Sequence, residues 1–232
     1  MDILGIRIDN FTQKEIIEKI VFFFSEEKLH QVATVNPEFI LEAQKNELSR
    51  EILNSCDLNV ADGFGISCAF LRYGKMLKAR IPGADLVHEI LRIADQKKMG
   101  VFLAINKDGL SGFQEIKDAI SKTYPNIAVS SADLDRNDTK YQLPDSAGSI
   151  LFCNFGHPQQ EAFINSQKCG NIRLAMGVGG SFDYLTGKVK RAPIFMQRLG
   201  LEWLFRLIRQ PKRIGRIWRA VVVFPIRIVL NK

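Results

Sequence analysis

Six short apolar runs, at Gln31–Val35, Leu58–Ala61, Val101–Ile105, Ile127–Ser130, Ile150–Asn154 and Leu174–Val178, alternate along this sequence with stretches of helical periodicity. The helical patterns fall at Glu38–Lys45, Ile66–Tyr73, Ala84–Lys97, Leu110–Lys122 and Gln159–Gln167. Upstream, Thr12 and Glu15 form a capping box ahead of Ile16, Ile17, Ile20 and Val21. Strands that alternate with helices predict an α/β fold with a largely parallel sheet flanked by helices. Several runs end in a polar or glycine-bearing loop, and the carboxyl ends of strands are where open α/β sheets bind ligands.

At 232 residues the chain can bury a sizeable core, and its 46% apolar and 25% charged content is that of a globular protein. Cys56, Cys68, Cys153 and Cys169 lie far apart without a C-x-x-C, so buried reduced thiols are expected and structural zinc is not. Met1-Asp2 opens without a basic, then apolar, leader, which predicts cytoplasmic residence. Charge is unevenly placed. From Thr186 onward the chain carries net +11 against +7 for the whole, leaving −4 on the first 185 residues. A basic tail on a mildly acidic body implies an anionic partner, with phosphate the natural chemistry.

Beyond Pro193 the sequence becomes dense in Phe, Leu, Trp and Ile broken by arginines. Pro211 suits the first turn of a helix expected to stop near Pro225. Lys212, Arg213, Arg216 and Arg219 share one arc of that helix, opposite Ile214, Ile217, Trp218, Val221 and Val222. This is the pattern of a helix lying in a membrane interface, and no segment here is long enough to span. Packing of these apolar faces on the body is the alternative.

Five strand exits carry candidate chemistry. Thr34-Val35-Asn36-Pro37-Glu38 offers a hydroxyl and an amide to sugar or phosphate oxygens, or simply caps a helix. Asp62, leaving a buried strand between Ala61 and Gly63, suits a general base with a raised pKa; D-G turns without function are equally common. Arg80, in Arg80-Ile81-Pro82-Gly83-Ala84-Asp85, can offer a fork to a phosphate, with Asp85 as a helix cap. Asn154-Phe155-Gly156-His157-Pro158-Gln159-Gln160-Glu161 gives a strand, a glycine turn and a helix start with free N–H groups for an anion; His157 is expected to be a loop residue. Gly177-Val178-Gly179-Gly180-Ser181-Phe182-Asp183 lets backbone approach a nucleotide, with Asp183 facing a ribose hydroxyl. Phe182 breaks the dinucleotide fingerprint, which weakens a nicotinamide dehydrogenase.

Singly these motifs are weak, but their order is specific. The series T-x-N-P-E, A-D-G-x-G, R-x-P-G-x-D-L, G-x-P-x-Q-E, G-V-G-G-x-F-D, R-A-P and L-E-W-L-x-R-L-x-x-x-P-x-R-x-x-R, from Thr34 to Arg216, resembles the WecG/TagA/CpsF glycosyltransferase family. The resemblance implies a Rossmann-like domain over 1–193 and a membrane-binding helical appendage over 194–232. It also implies inverting transfer of an N-acetylmannosamine-type sugar, its uronic acid or glucose from a UDP donor to a polyprenyl-diphosphate-linked saccharide. Carried over by residue, Asp62 is the base, and Arg206, Arg213 and Arg216 stabilise the departing diphosphate. Thr34, Arg80 and Gln160 line the pocket, while Asn36, Gly179, Gly180 and Asp183 hold the nucleotide.

No cofactor and no metal are expected, since arginine forks can neutralise a diphosphate and Asp133-Leu134-Asp135 is read as a polar loop. The expected partners are the UDP-sugar, the lipid-linked acceptor and the anionic inner face of the plasma membrane, without nucleic acid; oligomeric state stays open. The chain departs from the family's habits at Ala79, at Ala104 to Gly109, at Ser131 to Leu134 and at Gln159, which puts donor identity in doubt. A basic binding module without catalysis also explains the tail, but gives no reason for Asp62, Gln160 and Asp183 to recur in this order.

Overall fold

The computed structural model describes residues 1–138, 140–168 and 170–230; Cys169 lies outside them. A two-stranded hairpin, β1 (Asp2–Ile3) and β2 (Ile6–Arg7), leads into α1 (Gln13–Phe23), where the Thr12–Glu15 capping box forms as expected. Then follow β3 (His30–Val35), α2 (Pro37–Ala43), α3 (Glu47–Ser55), β4 (Leu58–Ala61), α4 (Phe64–Arg72) and α5 (Gly83–Lys97). The second half of the body runs β5 (Val101–Asn106), α6 (Phe113–Thr123), β6 (Val129–Leu134), β7 (Ile150–Cys153), α7 (Gln159–Asn165), β8 (Leu174–Gly177) and α8 (Ser181–Leu185).

The six longer strands form one parallel sheet in the order β4-β3-β8-β7-β5-β6. Alternate residues along each strand face opposite layers. Val101, Leu103 and Ile105 join the core under α1, α5 and α6, whereas Phe102 and Ala104 join the core under α7. Burial on both faces explains why the strands read as nearly unbroken apolar runs. Register pairs Val35 with Ala61 and Cys153 with Gly177, so the loops that begin at Asn36, Asp62, Asn154 and Val178 leave one end of the sheet together.

Two expectations are corrected here. The strand expected at Ile127–Ser130 runs instead over Val129–Leu134, paired to β5 from Val101↔Val129 to Asn106↔Leu134. It is an edge strand with a half-exposed face, so apolarity marks it poorly, and Asp133 belongs to the strand rather than to a polar loop.

The tail also differs. It contains α9 (Ile194–Arg198), α10 (Glu202–Arg209), a 3-10 turn at Pro211–Arg213, α11 (Ile214–Trp218), a π-helical turn at Arg219–Val223 and α12 (Phe224–Leu230). Pro225 does not stop the helix. It sits in the first turn of α12, after a π turn that absorbs the ladder bond a proline lacks. Phe224 and Ile228 are buried with Ile40, Ile66 and Phe70, so α12 is docked on α2 and α4. Among the described residues no helix is long and apolar enough to cross a membrane.

Candidate active site

Asp62 is the first residue beyond β4. Its backbone N–H donates to the Val35 carbonyl at 2.8 Å, which continues the β3–β4 pairing by one step. Gly63 then adopts φ +86°, a left-handed turn that a side chain would resist, and α4 starts. The carboxylate therefore faces the crevice and not the sheet. Burial lifts its pKa from 3.8 to about 6; the Arg206 charge opposes this, Glu202 adds to it, and the Gly83 N–H and Arg80 pull it down. A carboxylate held near neutrality in a crevice is a competent proton acceptor.

The neighbouring wall is a buried polar network. Gln160 accepts the N–H groups of Gly156 and Gly179 on one oxygen, each at 3.1 Å, and donates to Glu161 Oε1 at 2.7 Å. Glu161 Oε2 lies 2.8 Å from His157 Nδ1, and His157 Nε2 lies 3.0 Å from Ser49 Oγ of α3. The His157 ring stacks on Phe39 with centroids 3.9 Å apart. His157 is a loop residue, as expected, in the turn between β7 and α7, and these two partners hold its ring in place. One glutamine side chain ties the exits of β7 and β8 together, and a Cβ at Gly177 would collide with it.

On the far side, Asp183 Oδ1 accepts from Ser111 at 2.8 Å, and Ser111 also bonds Thr186 at 2.9 Å. Asp85 does not cap α5. It forms a two-pronged pair with Arg191, which ties the R-A-P segment to the start of that helix. Asn36 is the N-cap of α2, accepting the N–H groups of Glu38 and Phe39.

The arginines come from the tail. Arg206 lies over the Tyr184 ring at 5.5 Å. The pKa of Arg213 is pushed down, first by burial and then by Arg216 and Arg206. Crowded cations of this kind invite an anion. Arg216 donates twice to Glu38, at 2.8 and 2.6 Å, and Arg219 reaches Glu42 at 3.2 Å. The basic arc expected from the sequence is therefore not wholly free for a membrane: Arg216 and Arg219, three residues apart on one face, are paired with Glu38 and Glu42 of α2.

Thr34, Asn36, Asp62, Gln160, Gly179, Gly180, Asp183, Arg206, Arg213 and Arg216 all line one cavity of about 300 Å³. Arg80 does not. It binds Glu202 at 3.3 Å and the Gln197 carbonyl at 2.9 Å, and lines a second, mainly apolar cavity of about 400 Å³. Glu202, Glu38 and Glu161, the partners of Arg80, Arg216 and Gln160, were not singled out from the sequence, although each stands inside a motif that was. Ser49 carries no sequence signal.

The sequence profile of the glycosyl transferase WecG/TagA/CpsF family matches residues 1–232. The chain belongs to this family. It is also 32% identical, over all of its length and 93% of the relative's, to an N-acetylglucosaminyldiphosphoundecaprenol N-acetyl-beta-D-mannosaminyltransferase of Staphylococcus aureus strain MRSA252. The like-named protein of strain MW2 is 31% identical, with the same shares covered. As a WecG/TagA/CpsF glycosyltransferase, the chain is a hexosyltransferase whose crevice lies at the carboxyl ends of a Rossmann-like sheet.

Proposed function

We propose that this glycosyltransferase moves an N-acetylmannosamine residue from a UDP donor to N-acetylglucosaminyl-diphosphoundecaprenol, with inversion and without a metal ion. The Staphylococcus aureus relatives' names support the sugar and acceptor. The observation that carries the chemistry is Asp62, poised near neutrality, in one cavity with Arg206, Arg213 and Arg216. In this reading Asp62 takes the proton from an acceptor hydroxyl as its oxygen attacks the anomeric carbon. The bond from that carbon to the β-phosphate oxygen breaks with its electron pair, and UDP leaves. Attack opposite the leaving group inverts the centre.

Charge develops on the β-phosphate, where arginine forks match phosphate oxygens and remove the need for a cation. The glycines at 179 and 180 bring backbone close to the nucleotide, with Asp183 and Asn36 beside it. Thr34 and Gln160 shape the sugar's side of the cavity. Residues 194–232 act as the appendage that brings these arginines to the anionic inner leaflet. Exposed Ile194, Phe195, Leu199, Ile208, Ile214 and Trp218 support that contact, as does the tail's positive charge.

The test is to incubate the protein with EDTA, a synthetic acceptor and, separately, UDP-N-acetylmannosamine, UDP-glucose and the UDP-uronic acid, then weigh the products. Addition of one N-acetylhexosamine from the first donor alone is expected. Transfer of another sugar reassigns the donor; dependence on added divalent cation removes the metal-free mechanism.

A further inference from the structure

The apolar cavity adjoins the polar one, because Asn36, Asp62, Glu202 and Arg206 line both. The rest of its wall includes Pro37, Phe64, Trp203, Ile217, Val221 and Pro225, from α2, α4, α10 and the segment after Arg213. Gly65 lets this wall close: a Cβ there would collide with the Pro37 ring and touch Phe224. The space is therefore built by tail helices docked on α2 and α4, and a volume of about 400 Å³ falls within the usual range of ligand sites.

We propose, resting on the lipid-linked acceptor assigned above, that this cavity seats the isoprene units next to the acceptor's diphosphate. Three observations favour a prenyl chain over another occupant. First, the acceptor is an amphiphile whose sugar, diphosphate and hydrocarbon follow in fixed order, and its sugar hydroxyl must reach Asp62. A mainly apolar cavity that shares Asp62 and Arg206 with the polar one brings those same chemistries together. Second, Arg80 and Arg206 line this cavity too and their charges act on Asp62, so two guanidinium groups that a diphosphate could pair with share the cavity with the base and the apolar side chains. Arg80 is paired with Glu202 at 3.3 Å, and Arg206 lies over the Tyr184 ring. Third, the surrounding surface is apolar: Phe64 and Leu71 of α4 are 49% and 65% exposed, and Trp218 is 59% exposed. A chain leaving the cavity would meet this rim and then the bilayer. A water-soluble acceptor has no use for such a wall.

The test compares two acceptors that share the same sugar diphosphate but carry either an undecaprenyl or an ethyl group. Cys68 of α4 and Ala220 of the tail's π turn both line the cavity, and Cys68→Trp and Ala220→Trp are each expected to fill part of it. The ratio of kcat/KM for the long over the short acceptor should drop about tenfold in each, through KM, as lost hydrocarbon contacts in a pocket do. An unchanged ratio in both folded variants would overturn the seat. Should the unmodified protein use neither acceptor, the assigned reaction falls, and a second measurement still reads the cavity.

Cys68 is exposed while Cys56 and Cys153 are buried. In a Cys169→Ser background, farnesyl diphosphate should slow maleimide alkylation of Cys68 severalfold, and UDP should not. Equal protection by phosphatidylglycerol vesicles alone would assign the cavity to bulk lipid and reject the proposal.

Discussion

Around Gln160 the body's polar groups are buried and committed: Gln160, Glu161 and Ser49 are each 2–3% exposed, and every hydrogen bond they make is internal to residues 1–193. Two of the tail's arginines are the opposite. Arg206 and Arg216 stand on exposed positions, and their neighbours are an aromatic face and a surface carboxylate that a ligand can displace. The contrast separates two tasks. In the proposed reaction the body would fix where a donor lies, at the level of backbone N–H groups and glycines, and the tail would supply charge to meet phosphate. Fixed dipoles suit orientation, whereas long cationic side chains suit a charge that appears during the reaction.

The largest effect belongs to Asp62, on the body's side. Asp62→Asn keeps the shape and removes the base, so single-turnover transfer should fall by about 10²–10⁴. Near-normal transfer would exclude Asp62 as base. In the unmodified protein kcat/KM should decline as pH falls through about 6, where the carboxylate takes up its proton. The same shift has a stability side. A carboxyl whose folded pKa lies above its ordinary 3.8 binds its proton more tightly in the folded state, so its contribution is fully present at low pH and is lost as pH rises through about 6. Thermal melts at pH 7.5 should therefore place Asp62→Asn at or above the unmodified protein.

Next comes the tail's charge. Arg206→Ala or Arg213→Ala should each cost about 2.7–4 kcal/mol of transition-state stabilisation, roughly two to three decades in kcat. The double variant should lose less than the two losses combined, since both act on one departing group. A loss confined to KM would make them binding residues and erase the division of tasks drawn here.

The two regions also differed in how plainly the sequence announced them. Strands buried on both faces write themselves as apolar runs, so the exits bearing Thr34, Asp62, Asn154 and Gly177 could be placed from residue order alone. β6 was misplaced because an edge strand lacks that signature. α3 escaped notice because its apolar stripe is thin, with only Ile52 and Leu53 buried among its large residues, and Ser49 went with it. In the tail, a helical projection assumed one continuous period. The 3-10 turn and the π turn interrupt that period, but Arg216 and Arg219 keep one face, and what the projection could not give is that this face meets Glu38 and Glu42 of α2. Composition located the arginines; only packing could show that Arg216 and Arg219 pair with carboxylates of α2.

A smaller change tests the body's precision. Gly177→Ala places a methyl where the Gln160 amide lies, and overpacking of this kind costs about 1–3 kcal/mol. Gln160 must then release the N–H groups of Gly156 and Gly179. Donor KM should rise about tenfold while thermal stability falls modestly. A stability loss with donor KM unchanged would detach the glutamine clamp from donor binding.

The smallest effect carries the clearest sign. Glu38 holds Arg216 by two donated hydrogen bonds on a surface where the arginine side chain is 59% exposed, and such a pair contributes about 0–1 kcal/mol to stability. If Arg216 must leave Glu38 to meet the β-phosphate, then Glu38→Gln removes a competitor for the guanidinium, and UDP should bind a few-fold more tightly in calorimetry. If the pair instead serves to dock the tail on α2, the same variant loosens the tail and UDP binds more weakly. Arg219 provides the control, because its partner Glu42 lines neither cavity. Glu42→Gln should weaken docking without freeing a phosphate-facing arginine, so tighter UDP binding in Glu38→Gln alone identifies Glu38 as the occupant that phosphate displaces.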